Sequence, residues 1–465
     1  MSTPGDEPRD DRLTEDDAEA HVHGICFKTG PPRRVGLELE WLVHDARDPA
    51  LPVPAERIFA AVAGLTAPAV LPSPAALPTG SMLTTEPGGQ LELSSAPADS
   101  LGECVTAVGR EMTTLRETVR RAGLALQGYG LDPLRAPRRV LQLPRYAAME
   151  EFFDRSGPWG REMMCNTASV QVCLDAGRDT AATGGYRWRW RLAHHIGPVL
   201  VAAFANSPLR QGRPSGWKST RREVWAHLDP GRTRPPPTDG DPRDAYTDYA
   251  LDAKLMLVRR PGSPSWVAPR GLTFRSWLRG DRNGERPPTV DDLTYHLSTL
   301  FPPVRPQGHL ELRMIDAQRG DGWIVPAAVA WALFEDPRAA DDAMAATEPL
   351  RAARERVAVG AAPGPGPFGN GKSPDGGRSR TVSSGLQAHH ANTGAPQGNP
   401  WLRAARDGPA DPVLARAGQQ CFEAADAALG RAGVPAEIRC RVAEFADRYV
   451  TRRRCPADDQ LEGMH

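Results

Sequence analysis

Residues 35–41 read VGLELEW, and the alternation of apolar and acidic side chains in this stretch predicts a β-strand. Because successive side chains of a strand point to opposite faces of its sheet, Glu38 and Glu40 share one face. The opposite face carries the apolar side chains of Leu37, Leu39 and Trp41. The stretch therefore predicts a sheet with a hydrophobic core on one side and carboxylates on the other.

Three further segments show the same alternation: GGQLELSSAP (88–97), TASVQVCLD (167–175) and HLELRMIDAQ (309–318). Their polar faces carry Gln90, Glu92, Ser94, Thr167, Ser169, Gln171, His309, Glu311 and Arg313, and Glu86 lies just before the first segment. Ordinary antiparallel strands often have one packed and one solvated face, and each segment alone fits that interpretation. Taken with residues 35–41, however, these polar positions hold five glutamates, one arginine and no lysine.

Carboxylates on neighbouring strands repel one another, so this polar face predicts a positive partner. Mg²⁺ is bound through oxygen ligands, usually one or two carboxylates together with the phosphates of a nucleotide. A concave sheet lined with glutamates suits two or three such ions, which would also bridge the phosphates of ATP during phosphoryl transfer. Arg313, beside Glu311, would supply a fixed cation for the transferred group. The pattern thus predicts a site for ATP and Mg²⁺ on the polar face.

Longer segments with helical spacing alternate with these strands. Residues 100–126 and 185–208 repeat apolar side chains at the spacing of a helix, and Pro208 marks the end of the second segment. This mixture predicts an α+β catalytic domain over residues 21–357. Residues 401–465 regain helical patterning, and we expect them to pack on that domain as a C-terminal helical segment.

Two segments lack such patterning. Residues 1–20 are polar and acidic, which predicts a disordered tail, and residues 358–400 are rich in Gly, Pro and Ser, which predicts a flexible insert. The insert contains GPFGNGKS (366–373), a match to the phosphate-loop pattern G-x-x-x-x-G-K-[ST]. A working phosphate loop needs a buried strand before it and a helix after it. The flanking prolines and glycines favour neither, so we interpret the match as coincidental.

Composition excludes several classes of protein. Lys plus Arg and Asp plus Glu each total 57, so no net charge attracts nucleic acid or an anionic membrane. The seven cysteines occur without a C-x-x-C pair, which argues against a structural zinc site or a secreted disulfide framework. The longest apolar run, residues 196–205, is far shorter than the roughly 20 residues of a membrane-spanning helix. We therefore expect a cytoplasmic protein with small-molecule partners, and the sequence indicates no particular oligomeric state.

A further group of candidate residues lies in SGWKSTRREVWAHLDPGRT (215–233). Arg221 and Arg222 follow a glycine-containing turn and precede Trp225, an arrangement suited to binding a carboxylate through bidentate hydrogen bonds. A solvated basic helix start would show the same pattern. Tyr246 and Tyr249, which follow in the chain, either line a pocket or pack in the core.

Together, these segments resemble the glutamate-cysteine ligase family of plant and actinobacterial type, most closely its actinobacterial members that serve ergothioneine biosynthesis. The resemblance covers roughly residues 33–345 and 400–458, and several ordered motifs are far more specific than any one of them. The similar motifs are VGLELEWLV, EPGGQLELSSAP, MCNTASVQVCLD, SGWKSTRREVWAHLDPGRT, YTDYALD, DDLTYHLSTLFPPVRPQGHLELRMIDAQ and RRRCPADD. The resemblance implies a glutamine synthetase-like fold, in which a curved antiparallel sheet forms a half-barrel with helices packed outside.

The resemblance also implies a reaction. ATP would phosphorylate the γ-carboxylate of L-glutamate, and the amine of L-cysteine would displace phosphate to give γ-glutamylcysteine for ergothioneine biosynthesis. The positions that match magnesium ligands are Glu38, Glu40, Glu86, Glu92, Glu311 and Gln171. Arg221 would bind the glutamate substrate, and Arg313, with Glu311, would act in catalysis by stabilising the transition state of acyl phosphate formation. The candidates for the amino-acid pockets are Trp225, Tyr246 and Tyr249.

Two other interpretations stay open from the sequence. Another carboxylate-amine ligase of the same superfamily would use a different amine acceptor, because the choice of cysteine rests on the resemblance alone. A non-catalytic regulatory homologue would retain the fold, although a decayed site usually loses its clustered carboxylates.

Overall fold

A computed structural model describes residues 13–30, 34–65, 77–281, 284–360 and 399–463. The strands in these ranges are β1 Val35–Asp45, β2 Met82–Thr85, β3 Leu91–Ser94, β4 Leu124–Gln127, β5 Ser169–Asp175, β6 Leu209–Arg210, β7 Arg213–Pro214, β8 Val304–Pro306 and β9 His309–Asp316. Seven of them form one open antiparallel sheet in the order β2-β3-β1-β5-β9-β8, with β4 paired to the second half of β1. Strands β6 and β7 form a separate hairpin.

Helices cover most of the remaining described chain. They are α1 Glu15–Cys26, α2 Ala55–Val62, α3 Leu101–Arg121, α4 Pro144–Asp154, α5 Trp159–Asn166, α6 Tyr186–Ala203, α7 Thr220–Ala226, α8 Pro230–Thr233, α9 Pro242–Asp252, α10 Phe274–Leu278, α11 Val290–Leu297, α12 Ile324–Glu335, α13 Pro337–Gly360, α14 Pro400–Asp407, α15 Pro412–Arg431, α16 Ala436–Phe445 and α17 Pro456–Glu462. A short 3₁₀ helix spans Gly408–Ala410, and a π-helical turn spans Ala446–Val450. Within the described ranges, no helix is long and apolar enough to cross a membrane.

The four segments predicted as strands are the four central strands of the sheet. β3, β1, β5 and β9 lie side by side, so their alternating patterns share one apolar face and one polar face. The apolar face is buried under helices α3, α6 and α12. Its buried side chains include Leu37, Leu39, Val170, Val172, Leu310 and Leu312. The predicted α+β class and antiparallel sheet are confirmed.

Two predicted helices end earlier than their patterns indicate. The first ends at Arg121, and residues 124–127 of the predicted helix instead form β4 after Gly123, whose φ of +70° turns the chain back. The second ends at Ala203 rather than at Pro208. There the backbone amide of Asn206 leaves the helix and donates to the Asp316 carboxylate over 2.9 Å. In both cases tertiary pairing overrides the helical pattern.

The predicted disordered tail is wrong for residues 15–20, which form the first turns of α1. Thr14 caps this helix by a reciprocal capping box with Asp17. The side chains that bury one stripe of the helix follow a spacing of four and are Ala18, Val22 and Cys26. Residues 1–12 lie outside the described residues.

The helices beyond residue 399 pack against the helical side of the molecule. α15 lies against α12 and α13, and α14 lies against α6. The ring of Trp401 on α14 packs on Gly197, where an added Cβ would lie 2.1 Å from the ring, so a side chain there would displace α14. The Gln460 amide on α17 donates to the Asn206 side-chain oxygen over 2.6 Å. The predicted insert falls almost wholly on residues 361–398, which lie outside the described residues, as does GPFGNGKS.

Candidate active site

The polar face of the sheet forms one wall of a cavity of about 280 Å³. Helices α4, α5 and α7 and residues 298–305 complete it. The lining residues are Glu38, Glu40, Glu86, Pro87, Gln90, Glu92, Arg145, Tyr146, Met149, Met163, Met164, Thr167, Arg221, Trp225, Ser298, Phe301, Arg305 and Arg313. Seven residues predicted from the sequence for the polar face or its flank, Glu38, Glu40, Glu86, Gln90, Glu92, Thr167 and Arg313, therefore meet at one cavity.

Strand register brings the carboxylates of β1 and β3 together. Glu40 pairs directly with Glu92 across the β1/β3 ladder, and Glu38 pairs with Gln171 across the β1/β5 ladder. Glu92 accepts hydrogen bonds from the Thr84 and Ser94 hydroxyls, both at 3.3 Å. These neutral donors stabilise a carboxylate only modestly, so the acidic positions face the cavity largely uncompensated.

A turn between β2 and β3, held by hydrogen bonds of Gln90, carries the fourth carboxylate, Glu86. The Gln90 side chain accepts from the Gly88 amide at 3.0 Å and donates to the Thr167 carbonyl at 3.0 Å. An added Cβ at Gly88 would lie 2.2 Å from the carbonyl oxygen of Cys165, so only glycine permits this close contact. Gln90 and Gly88 thus fix the turn that carries Glu86, which lines the cavity.

The four carboxylates have raised pKa values. Burial, together with the neighbouring Glu311 and Glu92, raises the pKa of Glu38 to about 9. Burial and nearby carboxylates also raise the pKa of Glu86 to about 8 and that of Glu92 to about 7, and burial raises the pKa of Glu40. Negative charge on this wall is therefore costly until a cation offsets it.

The opposite half of the wall is built from arginines around one buried glutamate. In the β8/β9 ladder Arg305 faces Glu311, whose side chain is fully buried. The Arg305 guanidinium donates to both Glu311 oxygens, at 2.7 and 3.0 Å, and Arg313 also pairs with Glu311. Burial alone would raise the pKa of Glu311, but Arg305 and Arg313 outweigh it and lower that pKa to about 2.

Gln171 joins the two halves of the wall. Its amide nitrogen donates to Glu40 over 3.1 Å, and its amide oxygen accepts a hydrogen bond from Arg313. Gln171 and Glu311 lie behind the lining residues, with their oxygens engaged by arginines. Of the six residues predicted as metal ligands, the structure therefore brings Glu38, Glu40, Glu86 and Glu92 to the cavity and places these two behind it.

Arg221 and Trp225 reach the cavity from helix α7. The helix is capped by Ser219, and its buried Arg221 donates to the Arg313 carbonyl over 2.9 Å. Arg221 lies 5.9 Å from the Trp225 ring, which packs edge-on against Phe301. Arg222 points the other way, toward Trp401. The predicted carboxylate-binding pair thus places one arginine, Arg221, at the cavity.

Tyr246 and Tyr249 are not among the residues that line this cavity, and their assignment to an amino-acid pocket stays a prediction. Tyr246 is buried and packs against Phe27 and Trp190, and Tyr249 stacks on Tyr246 at 5.7 Å between ring centroids. Tyr246 is thus part of the hydrophobic core, and the half-buried Tyr249 packs against that core.

Two arginines that line the cavity, Arg145 and Arg305, were not predicted from the sequence. Arg305 could have been found, since the turn at Gln307 and Gly308, where φ is +77°, makes VRPQGHLEL a hairpin that sets Arg305 opposite Glu311. Arg145 on α4 donates to the hydroxyl and carbonyl of Ser298 at 3.1 and 3.0 Å. No local pattern distinguishes Arg145 from the other 52 arginines of the chain.

The donor chemistry of the acidic wall fits a hard cation, because its ligands are carboxylate oxygens. Within the part of the chain that the structure describes, no three His, Cys, Asp or Glu side chains converge tightly enough to hold a metal ion by themselves. Mg²⁺ usually takes one or two carboxylates and completes its shell with water and substrate phosphates. The wall therefore fits an ion shared with a phosphate-bearing ligand rather than an all-protein metal cage.

Comparison with known proteins identifies the family. The model of Glutamate-cysteine ligase family 2 (GCS2) matches residues 34–363. The protein named Glutamate--cysteine ligase EgtA from Mycobacterium tuberculosis is 36% identical over 460 residues, which cover 97% of this chain and 91% of that protein.

Two further relatives are similar over shorter stretches. EgtA from Mycolicibacterium smegmatis is 41% identical over 350 residues, covering 73% of this chain and 78% of that protein. A chloroplastic glutamate--cysteine ligase from Medicago truncatula is 32% identical over 242 residues, covering 50% and 46%. The resemblance found in the sequence motifs is confirmed: this chain belongs to glutamate-cysteine ligase family 2.

Proposed function

We propose that the protein is an ATP-dependent glutamate-cysteine ligase that makes γ-glutamylcysteine, and that this product enters ergothioneine biosynthesis. The observation that carries the proposal is the cavity, where four carboxylates face the arginines of β8, β9 and α7. Family membership makes the chain a ligase, and the relatives named EgtA support glutamate and cysteine as its substrates.

The reaction has two steps. An oxygen of the glutamate γ-carboxylate attacks the terminal phosphorus of ATP, forming γ-glutamyl phosphate and releasing ADP. The cysteine amine then attacks the acyl carbon, loses a proton, and expels inorganic phosphate. Both steps develop negative charge on phosphoryl oxygens, and fixed cations beside those oxygens lower the barrier. Arg313 and Arg305 line the cavity wall and are the groups we assign to this task.

Arg221 is the group we assign to the α-carboxylate of glutamate. Its side chain is buried, it lines the cavity, and a guanidinium can bind a carboxylate through two parallel hydrogen bonds. Trp225 provides an apolar surface next to it. This placement would leave the γ-carboxylate of glutamate directed toward the arginines of β8 and β9.

Magnesium would bind at the acidic wall. Glu38, Glu40, Glu86 and Glu92 would hold the ions together with the phosphates of ATP. When bound, the ions would neutralise phosphate charge and orient the nucleotide. The raised pKa values of these carboxylates support the assignment, because a divalent cation would offset the burial and the repulsion that raise them.

We also propose that the open sheet corresponds to the half-barrel of glutamine synthetase-like enzymes. The antiparallel order, the helices on the apolar face and the cavity on the polar face support this relation.

The test is a substrate panel. Purified protein is incubated with ATP, Mg²⁺, glutamate and either cysteine, glycine or ammonia, and ADP release is measured together with the product mass. We expect γ-glutamylcysteine at a rate well above that of either other amine. Equal rates with all three amines would refute the choice of cysteine, and no ADP release with any of them would refute ligase activity.

A further inference from the structure

Arg221 lines the cavity, and among the described residues some of its hydrogen-bond donors have no partner. Its side chain is 2% exposed, and one terminal nitrogen, Nη2, donates to the Arg313 carbonyl over 2.9 Å. Within the described residues, Nε and Nη1 have no hydrogen-bond partner. The nearest carboxylate oxygen to Nη1 is Asp316 Oδ1, at 3.9 Å, too far for a hydrogen bond. Two of the three guanidinium nitrogens are therefore without a hydrogen-bond partner among the described residues, while a carboxylate lies 3.9 Å from one of them.

Asp316 ends strand β9 and binds the start of the helix that carries Arg221. Its Oδ1 accepts from the Ser219 hydroxyl at 2.9 Å, and its Oδ2 accepts from the Ser207 hydroxyl at 2.7 Å. Ser219 is the N-cap of α7, and the Ser207 hydroxyl also accepts from the Arg221 amide at 3.2 Å. One carboxylate thus fixes the helix cap and the backbone of Arg221.

Asp316 is held rigidly and has no direct access to substrate. It is 2% exposed and does not line the cavity. The Asn206 amide supplies a further hydrogen bond to Oδ2 at 2.9 Å. A Cβ added at Gly130 would lie 2.3 Å from the Asp316 carboxyl carbon, so the backbone at Gly130 packs directly against it. The carboxylate cannot swing into the cavity without disturbing three segments of chain.

We infer that Asp316 is a positioning residue that orients Arg221 for the α-carboxylate of glutamate. The inference rests on the proposed function for the identity of that ligand. Asp316 acts in two ways. Its hydrogen bonds with Ser207 and Ser219 fix the direction of α7. Its negative charge compensates the buried guanidinium of Arg221 without forming a hydrogen bond to it.

The primary test is the Asp316→Asn variant. An amide of the same size removes the negative charge and puts an N–H donor where Asp316 accepts, so the hydrogen bonds from Ser219, Ser207 and Asn206 cannot all persist as they are. We expect KM for glutamate to rise by about tenfold or more, because hydrogen bonds to charged groups are among the strongest. KM for cysteine and for ATP should stay within about twofold, because Asp316 acts only through Arg221. Equal changes in all three KM values, or no change in any, would overturn the inference.

A double-mutant cycle shows whether Asp316 acts through Arg221. In an Arg221→Lys background, Asp316→Asn should change KM for glutamate by less than about twofold, since the group it orients has already been altered. Additive effects of the two substitutions would contradict the inference. Asp132→Asn is the matched control: Asp132 is also 2% exposed, but it pairs with Arg135. This control should lower thermal stability without a selective change in KM for glutamate.

Two further measurements keep the inference testable. If Asp316→Asn does not fold, Ser207→Ala removes the hydroxyl between Asp316 and the Arg221 amide, and a rise of about threefold in KM for glutamate is expected. Independently of turnover, the Arg221 Nε–H NMR signal of the substrate-free protein, assigned with Arg221→Lys, should shift in Asp316→Asn. An unchanged signal would refute positioning, whereas a shifted signal in a protein that fails to ligate glutamate would refute the proposed function alone.

Discussion

The two halves of the cavity wall contain the same residue type in opposite electrostatic states. On β1 and β3, Glu38 and Glu92 face the cavity with pKa values raised to about 9 and about 7. On β9, the fully buried Glu311 has its pKa lowered to about 2 because Arg305 and Arg313 bind it. Burial affects both halves, so what separates them is the presence of fixed cations. One half of the wall compensates its own charge, and the other half leaves compensation to a ligand.

The largest contrast should appear when the same substitution is made on each half. Removing one partner of a buried ion pair costs about 3–5 kcal/mol, so Glu311→Gln should lower the free energy of unfolding by that amount. Glu38→Gln is the matched control, and near pH 7 without Mg²⁺ it should leave stability almost unchanged, since a carboxyl with a pKa of about 9 is already neutral and glutamine has nearly the same size. Urea denaturation followed by circular dichroism measures both. Equal losses for the two variants would contradict the conclusion that fixed cations compensate Glu311 but not Glu38.

The arginines of the cavity wall should contribute strongly to kcat. Replacing Arg313 by Met removes a fixed cation beside the transferred phosphoryl group and should lower kcat by about 100- to 1000-fold, or about 2.7–4 kcal/mol. KM for glutamate should change much less, because the interaction forms mainly in the transition state. Arg116→Met, which breaks an ion pair with Asp321 outside the cavity, is the control for loss of an arginine. A kcat for Arg313→Met like that of the control would remove Arg313 from the mechanism.

The acidic half should make the metal-free protein less stable at high pH. Burial and neighbouring carboxylates raise the pKa values of Glu38, Glu86 and Glu92 to about 9, 8 and 7, whereas the ordinary pKa of a glutamate carboxyl is 4.5. The folded state therefore binds more protons than the unfolded state between these values, and the free energy of unfolding falls as pH rises. Because each pH unit of such a difference is worth about 1.4 kcal/mol per carboxyl, we expect a loss of several kcal/mol between pH 5.5 and 8.5.

Mg²⁺ with an ATP analogue should reverse most of that loss, and the measurement is the melting temperature at both pH values with and without these ligands. A melting temperature that is insensitive to pH, or a ligand effect that is no larger at pH 8.5 than at pH 5.5, would show that the acidic half is compensated within the protein.

The smallest effect is expected for Lys372→Ala in GPFGNGKS. If nucleotide binds only at the cavity on the polar face of the sheet, this substitution should leave KM for ATP within about twofold of its starting value. Steady-state kinetics over a range of ATP concentrations measures this. A large rise in KM for ATP would move nucleotide binding away from the cavity.

The sheet and its acidic face could be predicted because strand alternation is local. Glu38, Glu40, Glu92 and Arg313 follow from a period of two, and pairing of adjacent strands brings them together. Arg145 could not be found this way, because its place at the cavity depends on how α4 packs. The sequence leaves the tyrosines of α9 open for the same reason: their spacing is compatible with either a pocket or a core, and only packing shows that Tyr246 lies against Trp190 and Tyr249 against Tyr246.

The roles of Glu311 and Gln171 show a different limit. Both lie on the polar side of their strands, as alternation predicts, yet partners from other segments engage their oxygens. A pattern along one strand gives the face of a side chain but not its depth or its hydrogen-bond partners. Depth depends on the facing strand, here on Arg305 of β8.

The contact between α17 and Asn206 has a consequence for synthesis of the protein. Gln460 binds the side-chain and backbone oxygens of Asn206, whose own amide binds Asp316, and Lys218 pairs with Asp458 at the start of α17. Every strand of the sheet precedes this helix in the chain, so the sheet leaves the ribosome first. The helix that carries Arg221 gains these supports only when residues 456–462 have emerged. A nascent or prematurely terminated chain would thus form the sheet and its carboxylates before the helix that carries Arg221 has all of its contacts.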